Sequence, residues 1–274
     1  MTLCMAWRRD GTVHFASDSR LTVATNSYAD VGIKVLSLPF TVLQPTQLGS
    51  NQPQAIAFSG QLGMCFAGSA VSSLTLKESV VEILRSLQHA PGYTDTSMAG
   101  LANFVFTAYK MVSRTVCQTA LGANGRASIL IGGMCQELGY VRVFHLSTDS
   151  SNIHSIKEVL TDKEHEFIGS GKDAAENDLP QTPADGDYFN VLKSVIDDAT
   201  IPNVGGQVQY GCFKDSQFVV YGLIELGDAR NQKKRLVHYW RGGLDLNSEE
   251  FMAGHSSFVP GFPYIDPLST FGGL

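Results

Sequence analysis

Thr2, Asp18 and Lys34 are the residues of this chain whose types and spacing could do chemistry. Methionine before a small residue such as threonine is readily trimmed, because the small side chain fits the processing aminopeptidase. Removal of Met1 would leave Thr2 with a free α-amine beside its β-hydroxyl. An α-amine titrates at about pH 8, so one residue would carry both a nucleophile and the base that takes its proton. A cation nearby eases that transfer, and Lys34, in VGIKVL, is the candidate. A lysine in an apolar strand is costly to bury unpaired; Asp18, in SDSR, is the carboxylate that would hold it in place. The chemistry would be acyl transfer through a hydroxyl. Each residue also has a plainer reading: Thr2 as merely the second residue, Lys34 as an exposed strand lysine, Asp18 and Arg20 as a surface pair.

The intervening segments must bring these positions together. LCMAWR (3–8) and VHFAS (13–17) are short apolar runs around Asp10-Gly11, a strong hairpin signal. GIKVLSL (32–38) is a further strand, and PFTVLQPTQLGSNQPQ (39–54) reads as a loop. AIAFSG (55–60) and MCFAG (64–68) read as two strands. Val71, Leu74, Val80, Val81, Leu84 and Leu87 then follow helical spacing, and a second helix carries Leu101, Phe104, Val105, Ala108, Met111, Val112 and Val116 on one stripe that reads as core. ASILIGG (127–133), YVRVFHL (140–146), IHSIKEV (153–159) and HEFIGSG (165–171) read as strands, YFNVLKSVIDDA (188–199) as a third helix, and QVQYGCF (207–213), FVVYGLI (218–224) and RLVHYW (235–240) as final strands. Strands and helices come in blocks, which predicts an α+β fold of mainly antiparallel sheets. Two sheets face to face, covered by the helices, would bury such uniformly apolar strands. No domain boundary shows, so residues 1–274 read as one domain, with 249–274 a C-terminal extension lacking any period.

Composition excludes several functions. The net charge of −6 and the lack of any basic cluster beyond NQKKRL (231–236) argue against a nucleic-acid partner. The seven histidines lack metal-ligand spacing, and no metal or organic cofactor is expected. The five cysteines form no CxxC pair and read as buried free thiols in a reducing compartment. No stretch suits a signal peptide or a membrane span, so a cytoplasmic protein without a membrane partner is expected.

MTLCMAWRRDGTVHFASDSRLT, followed by IKVLSL, FAGSA and FIGSG, resembles the opening and later motifs of the proteasome β-subunit family and its bacterial relative, the HslV peptidase. The match is continuous over the first 38 residues and runs motif by motif to about Phe213. The resemblance implies a four-layer αββα sandwich of the N-terminal-nucleophile hydrolase type. It implies that Thr2 is the nucleophile, that Lys34 lowers the pKa of its amine and hydroxyl, and that Asp18 orients the lysine. Gly68, in CFAGSA, would donate its amide to the oxyanion; as a glycine at a helix N-terminus it suits an anion in any case. Ser170 and Asp198 would complete a network around the Thr2 amine, with Asp197 competing for the second place; their plainer readings are a turn serine and a helix-end aspartate. Thr22 would align the substrate strand, and Leu21, Gly32, Phe66 and Ala70 would line an apolar pocket for the residue before the scissile bond.

The chain departs from the family in the extra length of 39–58, in the added residues between Asp198 and Gly205-Gly206, and in Asn203 or Val204 where the family has a second serine. These departures resemble a divergent bacterial branch, such as the ancestral β-subunit (Anbu) proteins or the proteobacterial β-subunit homologues. The activity implied is threonine-type hydrolysis of peptides or unfolded protein within a homo-oligomeric ring or related assembly, with an ATPase unfoldase left open as a partner. The alternatives are a non-proteolytic amidase or acylase on the same fold and a catalytically silent ring subunit, which retention of Met1 would favour.

Overall fold

The computed structural model describes residues 2–24, 27–45, 54–226, 237–253 and 260–271. The chain opens with a hairpin, β1 (Leu3–Arg9) and β2 (Thr12–Ser17). Asp10 (φ 47°) and Gly11 (φ 79°) are both left-handed, as a two-residue turn matched to strand twist requires. A small ribbon follows, β3 (Leu21–Ala24) and β4 (Ser27–Ala29), then β5 (Val35–Leu43), β6 (Ile56–Gly68), α1 (Ala70–Leu84), β7 (Leu87–Gln88) and α2 (Met98–Val116). A π-helical turn at Cys117–Leu121 leads towards β8 (Ala127–Cys135), β9 (Tyr140–Thr148), β10 (His154–Val159) and β11 (His165–Gly169). Next come α3 (Lys172–Asp178), α4 (Asp185–Asp197), β12 (Gln209–Lys214), β13 (Gln217–Leu226), β14 (Val237–Arg241) and β15 (Leu244–Asp245). The last elements are α5 (Glu249–Ala253), β16 (Tyr264–Ile265) and α6 (Pro267–Phe271).

Two sheets dominate. One runs β11-β1-β2-β12-β13-β14-β15, with β16 added in parallel to β13; the other runs β10-β9-β8-β6-β5-β7. Apart from the short β7 and β16 pairings, every ladder is antiparallel. Successive side chains of a strand point to opposite faces, and β1 sorts its residues accordingly. Leu3, Met5 and Trp7 join a core with Phe189, Leu192 and Val195 of α4, whereas Cys4 and Ala6 join a core with Cys65, Ala67 and Leu130 of the other sheet. In β6, Leu62, Met64 and Phe66 face Leu76, Val80, Leu101 and Val105 of α1 and α2. The architecture is therefore α+β, with apolar faces on both sides of each sheet. No helix among the described residues is long and apolar enough to cross a membrane.

The structure differs from the sequence expectation at several elements. Residues 39–43 continue β5 rather than starting a loop, and Pro39 sits opposite Gln61 in its ladder with β6. On its other side β5 meets β7 only at Val42 and Leu43, and proline is tolerated where a strand side is open. The two expected strands at 55–60 and 64–68 are one, β6. The ribbon β3–β4 and the seven-residue α3 were not anticipated. The strand expected at 235–240 is β14; positions 235–236 lie outside the described residues. The C-terminal segment folds back: β16 pairs with β13, and the Phe271 ring stacks on Phe189, 5.1 Å between centroids.

Candidate active site

The hairpin register places Cys4 opposite Ser17, so Thr2 and Asp18 emerge side by side where β1 begins and β2 ends. Asp18 N–H donates to Leu3 O (3.3 Å), and Leu3 N–H donates to Asp18 Oδ1 (3.0 Å). Lys34 enters from the segment just before β5. Its Nζ donates to Thr2 Oγ1 and to Asp18 Oδ1, the latter at 2.9 Å. All three residues are buried: Thr2 is 2% exposed, Asp18 0% and Lys34 1%.

A buried ion pair survives when its remaining polar valences are filled. The second carboxylate oxygen of Asp18 accepts from Arg20 N–H and Gly205 N–H, both at 3.1 Å. With Leu3 N–H and the ammonium, four donors converge on one carboxylate. Gln209 on β12, 1% exposed, ties the surrounding backbone together. Its Nε2 donates to Asp18 O (3.0 Å) and Gly32 O (2.8 Å), and its Oε1 accepts from Lys34 N–H (2.8 Å). Sequence reasoning missed Gln209; the signal available was a polar side chain within an otherwise apolar strand. Arg20 forks onto both oxygens of Asp30 (2.7 and 2.8 Å) and reaches Pro202 O (3.1 Å). That hydrogen-bonded guanidinium holds the Asp30 carboxyl below its usual range and clamps the base of the β3–β4 ribbon to the 202–206 loop.

Glycines pack closely around Thr2. Gly169 (φ 103°) pairs with Leu3 across β11, and a Cβ there would collide with the Thr2 carbonyl oxygen and lie 3.1 Å from the Ala67 Cβ. Thr2 and the end of β6 thus meet over one glycine. Gly68 (φ 93°) follows Ala67; a Cβ on it would lie 2.6 Å from Arg126 O, so only glycine fits this bend. It immediately precedes Ser69, which caps α1 by accepting from Ser72 N–H at 3.2 Å.

The other expected residues divide. Ser170 is exposed between Gly169 and Gly171, whose N–H points at Thr2 O (3.4 Å). Asp198 is not joined to Thr2 among the described contacts. It caps the C-terminus of α4, and its carboxylate accepts from Thr200 N–H (2.8 Å) and Thr200 Oγ1 (2.7 Å), which hold its pKa below the usual range. Asp197 is exposed in the last turn of α4. Leu21 lies directly over Gly32, where an added Cβ would be 2.6 Å from Leu21 Cγ. Thr22 is exposed on the ribbon and Ala70 is half-buried at the start of α1. Phe66 departs from expectation: it is 1% exposed and packs in the core under α1 and α2, because even positions of β6 face the helices.

No protein-family model and no curated protein matches the chain. Solved structures do. The ancestral β-subunit Anbu from Yersinia bercovieri is 19% identical over 80% of this chain and 87% of its own, with a TM-score of 0.55. An Anbu (Gly-1) mutant from Hyphomicrobium sp. strain MC1 is 16% identical over 92% of this chain and 91% of its own, with a TM-score of 0.53. Anbu from Pseudomonas aeruginosa is 16% identical over 92% and 90%, with a TM-score of 0.52. At such identities the likeness is one of fold, and the chain has the fold of the ancestral β-subunit branch of proteasome-like proteins.

Proposed function

We propose that the chain is a threonine-type peptide hydrolase whose nucleophile is the hydroxyl of Thr2, exposed at a new N-terminus once Met1 is removed. The single observation that carries the reading is the Lys34 ammonium donating at once to Thr2 Oγ1 and Asp18 Oδ1 in a buried site. Thr2 Oγ attacks a peptide carbonyl while its proton passes to the Thr2 α-amine. The Lys34 cation stabilises negative charge on Oγ, and Asp18 keeps that cation in place. The tetrahedral oxyanion meets the Gly68 amide at the N-terminus of α1; one such donor contributes roughly 3 kcal/mol to transition-state stabilisation. Collapse expels the amine of the leaving peptide and leaves an ester on Thr2; water hydrolyses the ester to a carboxylic acid and restores the hydroxyl. Ser170, beside the glycines that abut Thr2, is read as a neighbour of the amine. The peptide or unfolded-protein substrate would align along Thr22, with its preceding side chain over Leu21, Gly32 and Ala70.

The three alternating cores support reading the fold as a four-layer αββα sandwich formed by one domain. Homo-oligomeric assembly is supported by apolar side chains exposed on α1 and α2 and by the helical assembly formed by Anbu from Pseudomonas aeruginosa. A silent structural subunit is the second reading, favoured by the placement of the Asp198 carboxylate on Thr200. Intact-protein mass together with Thr2→Ala separates the two. Protein lacking Met1 should hydrolyse peptides and lose that activity in Thr2→Ala with assembly unchanged. Retained Met1 with no turnover, or wild-type turnover by Thr2→Ala, would overturn the threonine mechanism.

A further inference from the structure

A cavity of about 320 Å³ lies at the C-terminal end of α2 and is lined by Lys110, Arg114, Cys117, Gln118, Asn152 and His154. It has no carboxylate in its wall, although the chain as a whole carries a charge of −6. Lys110 and Arg114 stand four residues apart, one above the other on the helix, a like-charge spacing that costs the helix stability. Neither forms an ion pair with a carboxylate among the described residues. The helix dipole rewards a cation in the last turn, which accounts for Arg114 but not for Lys110 a full turn earlier. Lys110 Nζ rests 4.9 Å from the Phe106 ring centroid, which fixes its direction.

The remaining groups add donors. Arg126 Nε donates to Asn152 Oδ1 (3.2 Å), which leaves the Asn152 amide hydrogens as the end free to face the cavity. Asn152 holds a left-handed backbone (φ 61°), and Arg126 reaches Ser150 O in the same loop. His154 is bound through Nδ1 to Thr148 Oγ1 (3.1 Å). Burial first, and then Arg114, depress its pKa, opposed by a hydrogen bond with the Lys110 backbone. Asp149, whose charge opposes the lowering of the His154 pKa, accepts at Oδ1 from Ser151 N–H and Ile153 N–H. The floor is the π-helical turn that begins at Cys117, and such single turns recur at functional sites.

From this convergence in one cavity of amide donors and cations without a carboxylate partner among the described residues we infer a binding site for a multivalent oxyanion of the phosphate class, a phosphoanhydride or phosphate ester. Arg114 offers a planar fork to two oxygens, Lys110 a point charge to a third, and Asn152 a neutral donor. The site is independent of Thr2 chemistry, so its test needs no turnover.

The test is calorimetric titration of inorganic pyrophosphate into the assembled full chain at physiological salt, with inorganic phosphate and a nucleoside triphosphate as parallel arms. One saturable site per chain is expected, weakened roughly tenfold or more in Lys110→Gln and in Arg114→Gln and unchanged in Lys77→Gln on α1. Preference for the triphosphate over pyrophosphate would assign a nucleotide as the source, the reverse a free phosphoanhydride. Cys117 gives a second readout on the unaltered chain, being the one partly exposed thiol of five. Bound pyrophosphate should slow its alkylation at constant ionic strength. Absence of saturable binding, equal affinity in both cavity variants, or an unchanged alkylation rate would overturn the inference. So would loss of assembly in the variants without anion binding by the wild type, which would assign these cations to a contact between copies of the chain.

Discussion

Asp18 is the residue on which the site's geometry turns, because four donors compete for one carboxylate and all four are used. Asp18→Asn keeps the shape but replaces one acceptor oxygen by a donor and leaves the Lys34 cation buried without its counter-charge. Breaking a buried ion pair from one side costs about 3–5 kcal/mol, so urea unfolding should show a loss of that order, and peptide turnover should fall as well. Lys34→Ala should lose nearly as much activity as Thr2→Ala, because groups acting as one unit are not additive. Gln209→Leu is the sharper test of positioning. It removes the partner of Lys34 N–H, Val35 N–H and Gly32 O, while Asp18 O keeps Ser17 Oγ, and one unsatisfied buried group costs about 1–3 kcal/mol. The expected outcome is a destabilised chain whose Thr2 chemistry weakens although no reacting atom is removed; wild-type stability and turnover would refute it. Residue type singled out Thr2, Asp18 and Lys34 in the sequence, but spacing alone did not show their geometry; the resemblance of the opening block to the proteasome β-subunit family is what joined them. Gln209 was not legible, since a side chain that bonds four backbone groups from distant segments leaves no local pattern. The Asp198 carboxylate takes the helix-end alternative, because Thr200, two residues on, offers local donors, as short polar side chains commonly find.

At the scale of elements, the site depends on how β1 and β2 seat against α4 and β12. Trp7 is the centre of that contact: it stacks on His14 (4.9 Å) and Tyr188 (4.7 Å), and its Nε1–H donates to Asp185 (2.8 Å) at the start of α4. His14 Nδ1 pairs with Tyr210 Oη at 2.8 Å. Burial lowers the His14 pKa to about 4, with Asp185 opposing it, and burial likewise raises that of Tyr210. The phenol therefore keeps its proton and the imidazole is neutral, with one hydrogen bond shared between them. A folded-state pKa below that of the unfolded chain means that the unfolded chain binds the extra proton. Stability is thus full above about pH 6.5 and declines as pH falls towards 4. At about 1.36 kcal/mol per unit the loss is on the order of 3 kcal/mol. Urea midpoints measured across that window should fall on acidification, and His14→Gln should flatten the slope between pH 6.5 and 4; an equal slope in both would show that His14 is not the titrating group. The hairpin, the long helices and the apolar strands were readable because each repeats its own period. β5 was cut short at Pro39 because proline signals a break where its structural context is unseen. The seven residues of α3 are too few for a helical period to declare itself.

At the scale of the whole molecule, the outer faces of α1 and α2 present apolar side chains that the three cores do not use. Val71, Leu74 and Ile83 on α1 and Phe104 and Met111 on α2 are exposed, and the two helices pack against each other. A single exposed aliphatic group needs no explanation, but several on adjoining helices mark a surface that another chain covers. Closed homo-oligomers are the usual way for identical chains to satisfy such surfaces. The chain should therefore scatter light as a particle several times its own mass of 29.6 kDa at micromolar concentration. Met111→Glu, at a position 68% exposed, places a charge on that surface without touching any core. It should leave the circular dichroism spectrum unchanged while shifting the particle mass towards the monomer. Peptide hydrolysis measured on the same samples then reports whether the Lys34–Asp18 pair and the glycines around Thr2 hold their geometry without neighbouring copies. A wild-type chain that scatters as a monomer, or a Met111→Glu particle of unchanged mass, would show that α1 and α2 are not the assembly surface.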